Sequence, residues 1–205
     1  MTASERFAGT GYHRTSLAQI AEAVGVTEGG LLYHFPSKRH LLLAVAEHRI
    51  ETIAGWWSEL SPRATFGEVL DALVATTGRF LQQPGLIELS VLAVAEAADP
   101  SGPAHEVFAA RYREAVGGLA AAFGRCAERG ELAPDVDCVA LARECIAVSD
   151  GLQLQWVLTA GDLDLAAAIR HHVDRVARSA ASPTASAASP TANAASPSAS
   201  GLASQ

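Results

Sequence analysis

Between Thr15 and Phe35, two stretches of helical periodicity, each only two turns long, are separated by Gly25-Val26-Thr27. Ser16 stands three residues before Gln19, a capping box in which each side chain satisfies an orphan backbone N–H near the other. Leu17, Ile20, Ala21 and Val24 then follow i, i+3, i+4, i+7 spacing and make one apolar stripe. Gly25 suits the left-handed position that ends a helix. Thr27 suits the cap of the next one, which is expected to run to about Phe35. Pro36 and Ser37 mark a break before a longer helix from Lys38 to about Leu60. Isolated helices shorter than roughly 12–15 residues are marginal in water. These two must therefore pack on something, and a short turn between them makes a helix-turn-helix. Residues 2–10 supply a further short helix with Phe7 as its large apolar side chain, ended by Gly9 and Gly11.

The rest of the chain also reads as helix. Segments are expected at 65–81, between Pro62 and Pro84; at 86–98, closed by Asp99-Pro100; and at 103–129, ended by Gly130. Two more are expected at 137–159, capped by Asp137, and at 163–178. Leu141, Cys145, Val148, Leu152 and Trp156 form one stripe, and Leu165, Ile169, Val173 and Val176 another. Aromatic residues are only 6% of the chain and alanine is abundant, which favours helix over sheet. The predicted fold class is all-α, with a three-helix helix-turn-helix domain at 1–44 and a larger helical domain at 45–178. From Ser179 the composition shifts to a repeating Ala-Ser-Pro-Thr-Ala without charge or an apolar seam, so 179–205 is expected to be a disordered tail.

Several function classes are excluded. No uncharged apolar run approaches the roughly 20 residues of a membrane span. The first eleven residues carry Glu5 and Arg6 and have no signal-peptide pattern. A cytoplasmic protein with no membrane partner is expected. Cys126, Cys138 and Cys145 are odd in number and lack zinc spacing, so neither a metal nor a cofactor is predicted. There is no Gly-x-Ser-x-Gly, His-Glu-x-x-His or Walker sequence, and Glu88, Glu96 and Asp99 form no recognisable acid–base pair. The chain is not expected to be an enzyme. Its net charge is −7, yet residues 1–50 hold five arginine and lysine residues against four acids, plus four histidines. The remaining residues together carry −8, so this part escapes the chain's acidic balance, a weak mark of nucleic-acid contact.

The run Gly-Tyr-His-Arg-Thr-Ser-Leu-x-x-Ile-Ala-x-x-Val-Gly-Val-Thr-x-Gly-Gly-Leu-Leu-Tyr-His-Phe-Pro-Ser-Lys-x-x-Leu, from Gly11 to Leu41, resembles the DNA-binding segment of the TetR family without a gap. The stretch Ser149 to Trp156, followed by Asp162-Leu163-Asp164-Leu165, is similar to the late helices of many members. The resemblance implies a second helix lying in the major groove of a double-stranded DNA operator. Phosphate contact is implied for Ser16 or Thr15, for Thr27, for His34 and for Lys38. Thr27 is alternatively a plain cap, and Lys38 a solvated charge. Gly29 and Gly30 would let the backbone approach DNA, Leu32 would meet a base or sugar, and Tyr33 would offer its ring to thymine methyls and its hydroxyl to a phosphate. Tyr33 alternatively packs on the first helix. Glu28 either accepts from cytosine N4 or balances the helix dipole. Leu31 and Phe35, with Leu17 and Ile20, read as core. Leu32 departs from the tyrosine common in the family, and the first helix is shorter than usual. The latter implies either a start of translation upstream of Met1 or weak DNA binding.

By the same resemblance, residues 45–178 enclose a cavity for a small-molecule effector and form a homodimer through the last two helices. Cavity candidates are Trp56, Trp57, Phe66, Phe80, Leu86, Leu89, Phe108, Tyr112 and Trp156. Dimer candidates are Leu141, Cys145, Val148, Leu152, Trp156, Ile169 and Val173, with Gly151 permitting close helix approach. Each is alternatively an ordinary core residue. The expected function is a ligand-responsive repressor that binds a palindromic operator as a dimer. The alternative is a helical small-molecule-binding protein whose DNA binding is weak or lost.

Overall fold

The computed structural model describes residues 2–58, 60–82, 85–102 and 104–182, with side chains omitted at 8 and 49–58. Among the described residues the elements are α1 (Ala3–Thr10), α2 (Leu17–Val24), α3 (Glu28–His34), α4 (Lys38–Ser58), α5 (Phe66–Leu81), α6 (Leu86–Ala97), α7 (His105–Glu128), α8 (Cys138–Leu158) and α9 (Leu165–Ala180). Most starts are set by side-chain caps. Thr2, Ser16 and Thr65 each form a full capping box, and Thr27, Asp137 and Asp164 each accept a backbone N–H of the first turn. Each such cap is worth roughly 0.5–2 kcal/mol. Gly25 ends α2 at φ 78°, a left-handed conformation that disfavours any side chain.

Two apolar clusters hold the helices together. The larger joins α5, α7, α8 and α9 around Phe123, which is wholly buried and meets the Phe66 ring edge-on at 5.4 Å. The smaller holds Phe7, Ile20, Leu31 and Leu42, and it extends into Leu89, Ala93 and Ala97 of α6 and Phe108 of α7. The helix-turn-helix head thus shares its core with the second lobe. The sequence-based division at 44/45 falls inside α4, where no break in packing occurs. This sharing also gives the short α1 a partner, because α1 lies against α6.

The predicted start of the tail at Ser179 is too early. Helix α9 continues to Ala180, and Ala181 forms an antiparallel bridge with Leu132. The N–H of Ala133 donates to Ala180 O and that of Ser182 to Glu131 O, both at 2.9 Å. Ala180 and Ser182 are buried. Backbone hydrogen bonds need no large side chain, so composition hides this anchor. Residues 183–205 lie outside the described residues.

A candidate nucleic-acid interface joined to an internal cavity

Helices α2 and α3 bury Ile20, Ala21 and Leu31 and leave the opposite surface bare. On that surface Tyr33 is 85% exposed and Val26 48%, and Val24 and Leu32 are exposed as well. Tyr33 does not pack inward, and its contact is an edge-on one with the exposed His34 ring at 5.2 Å. Glu28 occupies the first turn of α3 and is exposed. Thr27 caps α3 by accepting from Gly30 N at 3.0 Å. This uses an acceptor site of the hydroxyl and leaves its proton available. Ser16 is in the same position: it accepts from Gln19 N at 3.2 Å, is exposed, and keeps a proton to donate.

The structure distinguishes residues that the sequence treated alike. Thr15 is 2% exposed, and its hydroxyl is held by Gly11 O at 2.8 Å and by Thr10 Oγ1. It braces the α1–α2 turn and is not placed to contact DNA. Ser16, by contrast, is exposed. Gly29 faces open space, whereas a Cβ on Gly30 would come within 3.1 Å of Thr27 Oγ1. Gly30 therefore has an internal reason to be glycine, namely the cap. Lys38 lies 4.5 Å over the Tyr12 ring, and its Nζ donates to His13 O at 3.3 Å. Partial burial moves its ammonium below the usual lysine range.

Behind the head, a cavity of about 820 Å³ runs along α7. Phe108, Tyr112, Ala115, Gly118, Ala122 and Arg125 line it at helical spacing, with Phe80, Val91, Ile146 and Leu154 from other helices. The void exists because the middle of the α7 stripe is built from alanine and glycine. A Cβ added at Gly118 would meet nothing within 4 Å. Polar side chains also border the cavity, Ser90, Glu114, Ser149 and Gln153 among them. Tyr112 donates to Asp150 Oδ2 at 2.8 Å. Arg111 is engaged by Glu114 at 3.0 Å. Thr76 and Thr77 spend their hydroxyl protons on Ala72 O and Leu73 O of their own helix. Asp150 is exposed at its surface, yet the surrounding atoms desolvate its carboxyl and raise it above the usual carboxylate range, offset in part by the Tyr112 hydrogen bond. Burial and Asp150 together raise the Tyr112 phenol.

Of the cavity candidates, Phe80, Phe108 and Tyr112 line the space. Phe66 does not, because it stacks in the larger core, nor does Leu89, which is 2% exposed in the head's core. Leu86 packs on that same core, and Trp156 packs on the larger one against Gly161. The side chains of Trp56 and Trp57 lie outside the described residues. Sequence reasoning searched for aromatic rings and missed Ala115, Gly118, Ala122 and Asp150. The signal was small residues at i, i+3 and i+7 on α7, namely Ala115, Gly118 and Ala122.

The dimer candidates also divide. Cys145, Ile169 and Val173 are buried within a single chain and cannot meet a second one. The α9 stripe faces α5, and Cys145 lies in the larger core where α8 packs on α7. Burial pushes the Cys145 thiol up to about 12. Leu141, Leu152 and Trp156 are half-buried against the larger core, and Val148 is half-buried. On α8, Val139 and Leu158 are 46% and 75% exposed, and Leu154, which borders the cavity, is 44% exposed.

Residues 2–45 match the family described as bacterial regulatory proteins, tetR family, and residues 62–181 match the C-terminal domain of BetI-type transcriptional repressors. The HTH-type transcriptional regulator RutR of Escherichia coli is 41% identical over 73 residues, 36% of this chain. The match spans 32% of the length of RutR. The HTH-type transcriptional regulator TtgR of Pseudomonas putida is 27% identical over 188 residues, 84% of this chain and 85% of that one. A transcriptional regulator from Saccharomonospora viridis, solved in complex with choline, superposes with a TM-score of 0.68 at 22% identity, covering 87% of this chain and 93% of the other. That likeness is one of fold.

Proposed function

The chain belongs to the TetR family of DNA-binding transcriptional regulators, a non-enzymatic family, and on that premise we propose that it is a ligand-responsive repressor acting as a homodimer. In this reading α3 enters the major groove of an operator. Tyr33 and Leu32 meet bases, with Ser16, Thr27, His34 and Lys38 on phosphates and Gly29 allowing close approach. Glu28 balances the α3 dipole or reads a cytosine. One helix of seven residues covers too little DNA for useful specificity. Two heads related by a two-fold axis read a palindrome, with half-sites about 34–36 Å apart. The exposed Val139 and Leu158 on α8 support a partner subunit against that helix.

The observation that carries the regulatory part is that two residues belong to both halves. Phe108 and Ala46 line the cavity and are also members of the head's buried cluster. A ligand in the cavity therefore touches side chains that position α2 and α3. It shifts the population of head spacings only to the extent that it binds one spacing better than the other.

The test is a gel-shift titration with DNA flanking the gene, repeated across salt concentrations. A dimer making several phosphate contacts loses affinity steeply, with log K falling by about 0.9 per phosphate neutralised. A monomer in solution that fails to retain duplex even at low salt would overturn the proposal.

A further inference from the structure

A lysine ammonium sits on a flexible four-carbon stem, and holding that stem still for a phosphate costs free energy when binding occurs. Lys38, the first residue of α4, has its stem docked already. Its ammonium lies 4.5 Å from the centre of the Tyr12 ring, over the face. Its Nζ donates to His13 O at 3.3 Å, so two neighbours in the α1–α2 turn hold one cation. The ring has supports of its own. Gly11, at φ 83°, ends α1, and Tyr12 packs on the head's core with its ring 5.4 Å from that of Phe7. The His13 ring meets it edge-on at 5.2 Å, and Thr15 N donates to Tyr12 O at 3.3 Å. No carboxylate pairs with Lys38 among the described residues, and burial is what moves its ammonium. An ammonium has three N–H donors, so donors remain beyond the one spent on His13. The same turn leads directly into Ser16, the exposed cap of α2.

We propose that Tyr12 is a positioning residue for DNA binding, whose ring face, with the His13 carbonyl, presets the Lys38 ammonium for a backbone phosphate; the role rests on the phosphate contact proposed for Lys38. The face of an aromatic ring is negative, so it attracts the cation. Unlike a carboxylate, it carries no net charge and leaves the lysine its full attraction for phosphate. The docked stem has little freedom left to lose when DNA arrives. A leucine at this position would fill space beside Phe7 but offer no such face, and Lys38 would keep a single tether.

Gel shifts of the full-length protein on the DNA flanking its gene, across salt concentrations, test this. Tyr12→Phe keeps the ring face and should bind within about twofold of the parent. Tyr12→Leu should weaken binding by about twofold to fivefold per head, the range a cation–π contact gives at exposed sites, and make the salt slope shallower in the same direction as Lys38→Ala. Replacement of Tyr12 by pentafluorophenylalanine keeps the shape of the ring and reverses the charge of its face. It should weaken binding at least as much, which covers the case of a leucine that disturbs folding. In a Lys38→Ala background none of these changes should cost anything further, because Tyr12 acts through that ammonium. Equal binding by the phenylalanine and pentafluorophenylalanine forms, or a penalty that persists undiminished without Lys38, would overturn the positioning role and leave the phosphate contact standing. A Lys38→Ala variant that binds like the parent at every salt concentration would overturn both.

Discussion

Arg39, the second residue of α4, grips Glu96 of α6 twice: its Nε faces the carboxylate at 2.5 Å and its Nη2 donates to the backbone carbonyl at 3.0 Å. Arg39 leaves the DNA-reading head, and Glu96 directly follows Val94 and Ala95 of the cavity wall. On the proposed mechanism, a displacement of α6 by a ligand would be transmitted to α4, the helix that follows α3. The pair is partly exposed, so its net contribution to stability is at most about 1 kcal/mol. Its expected role is coupling.

Arg39→Ala should leave operator affinity of the ligand-free protein within about threefold. It should weaken the effect of ligand on that affinity by roughly twofold to thirtyfold, the ~0.5–2 kcal/mol typical of coupling residues. Gel shifts with and without ligand, on the parent and on the Arg39→Ala and Glu96→Ala variants, measure this. Unchanged release in both variants would remove the latch from the mechanism.

Lys38 and Tyr33 should fail in different ways. Lys38→Ala removes one phosphate partner, so affinity falls alike on all sequences and the salt slope drops by about one unit. Tyr33→Ala should cost about tenfold on the operator and flatten the preference among base substitutions at the half-site. Because the Tyr33 ring is 85% exposed, its removal should leave the melting temperature unchanged. Tm shifts, together with binding to an operator library, separate the two effects.

Gly118 faces empty space inside the cavity, and in mid-helix a glycine is about 1 kcal/mol less favourable than alanine. Gly118→Leu is expected to fill part of the void and raise Tm by roughly 2–4 °C. It should abolish ligand-induced release while operator binding persists. A lower Tm would mean that the groove has no room for a side chain.

Thr15 and Ser16 are neighbours with opposite roles. Thr15→Val leaves Gly11 O and Thr10 without their partner and should destabilise the protein by about 1–3 kcal/mol in denaturant unfolding. Ser16→Ala should cost about 1 kcal/mol through its lost cap and additionally weaken DNA binding at every sequence. Equal losses of DNA affinity at matched stability would contradict the distinction.

His172 on α9 is 6% exposed, and its Nε2 has no hydrogen-bond partner among the described residues. Burial lowers its pKa below the ordinary 6.5, against an opposing pull from Glu144 and with a small push from Arg175. Between the folded value and 6.5 the unfolded chain holds more protons, so stability rises with pH there. It should be complete above 6.5 and decline as pH falls below it, by at most about 1.4 kcal/mol per unit. His172→Gln should reduce the difference in Tm between pH 7.5 and pH 5.5. An unchanged difference would exclude this histidine as the cause.

Local chemistry was legible in the chain itself. Ser16 with Gln19, Gly25, Thr27, Asp137 and Gly130 mark helix ends, because a cap or a left-handed turn is decided by residues a few positions apart. What each helix faces was not legible. Periodicity shows that Cys145, Ile169 and Val173 form stripes, but not whether a stripe meets its own α5 and α7 or a second subunit, since both burials satisfy the same pattern. The cavity was hidden for a related reason. It is made by side chains that Ala115, Gly118 and Ala122 lack, and an absence becomes a site only when other helices enclose it. Likewise Thr15 and Ser16 look equivalent until packing turns one hydroxyl inward and leaves the other at the surface. Caps and turns are short-range and written in sequence. Burial, voids and the sharing of one core between two lobes arise from contacts between distant residues, which only the assembled tertiary structure specifies.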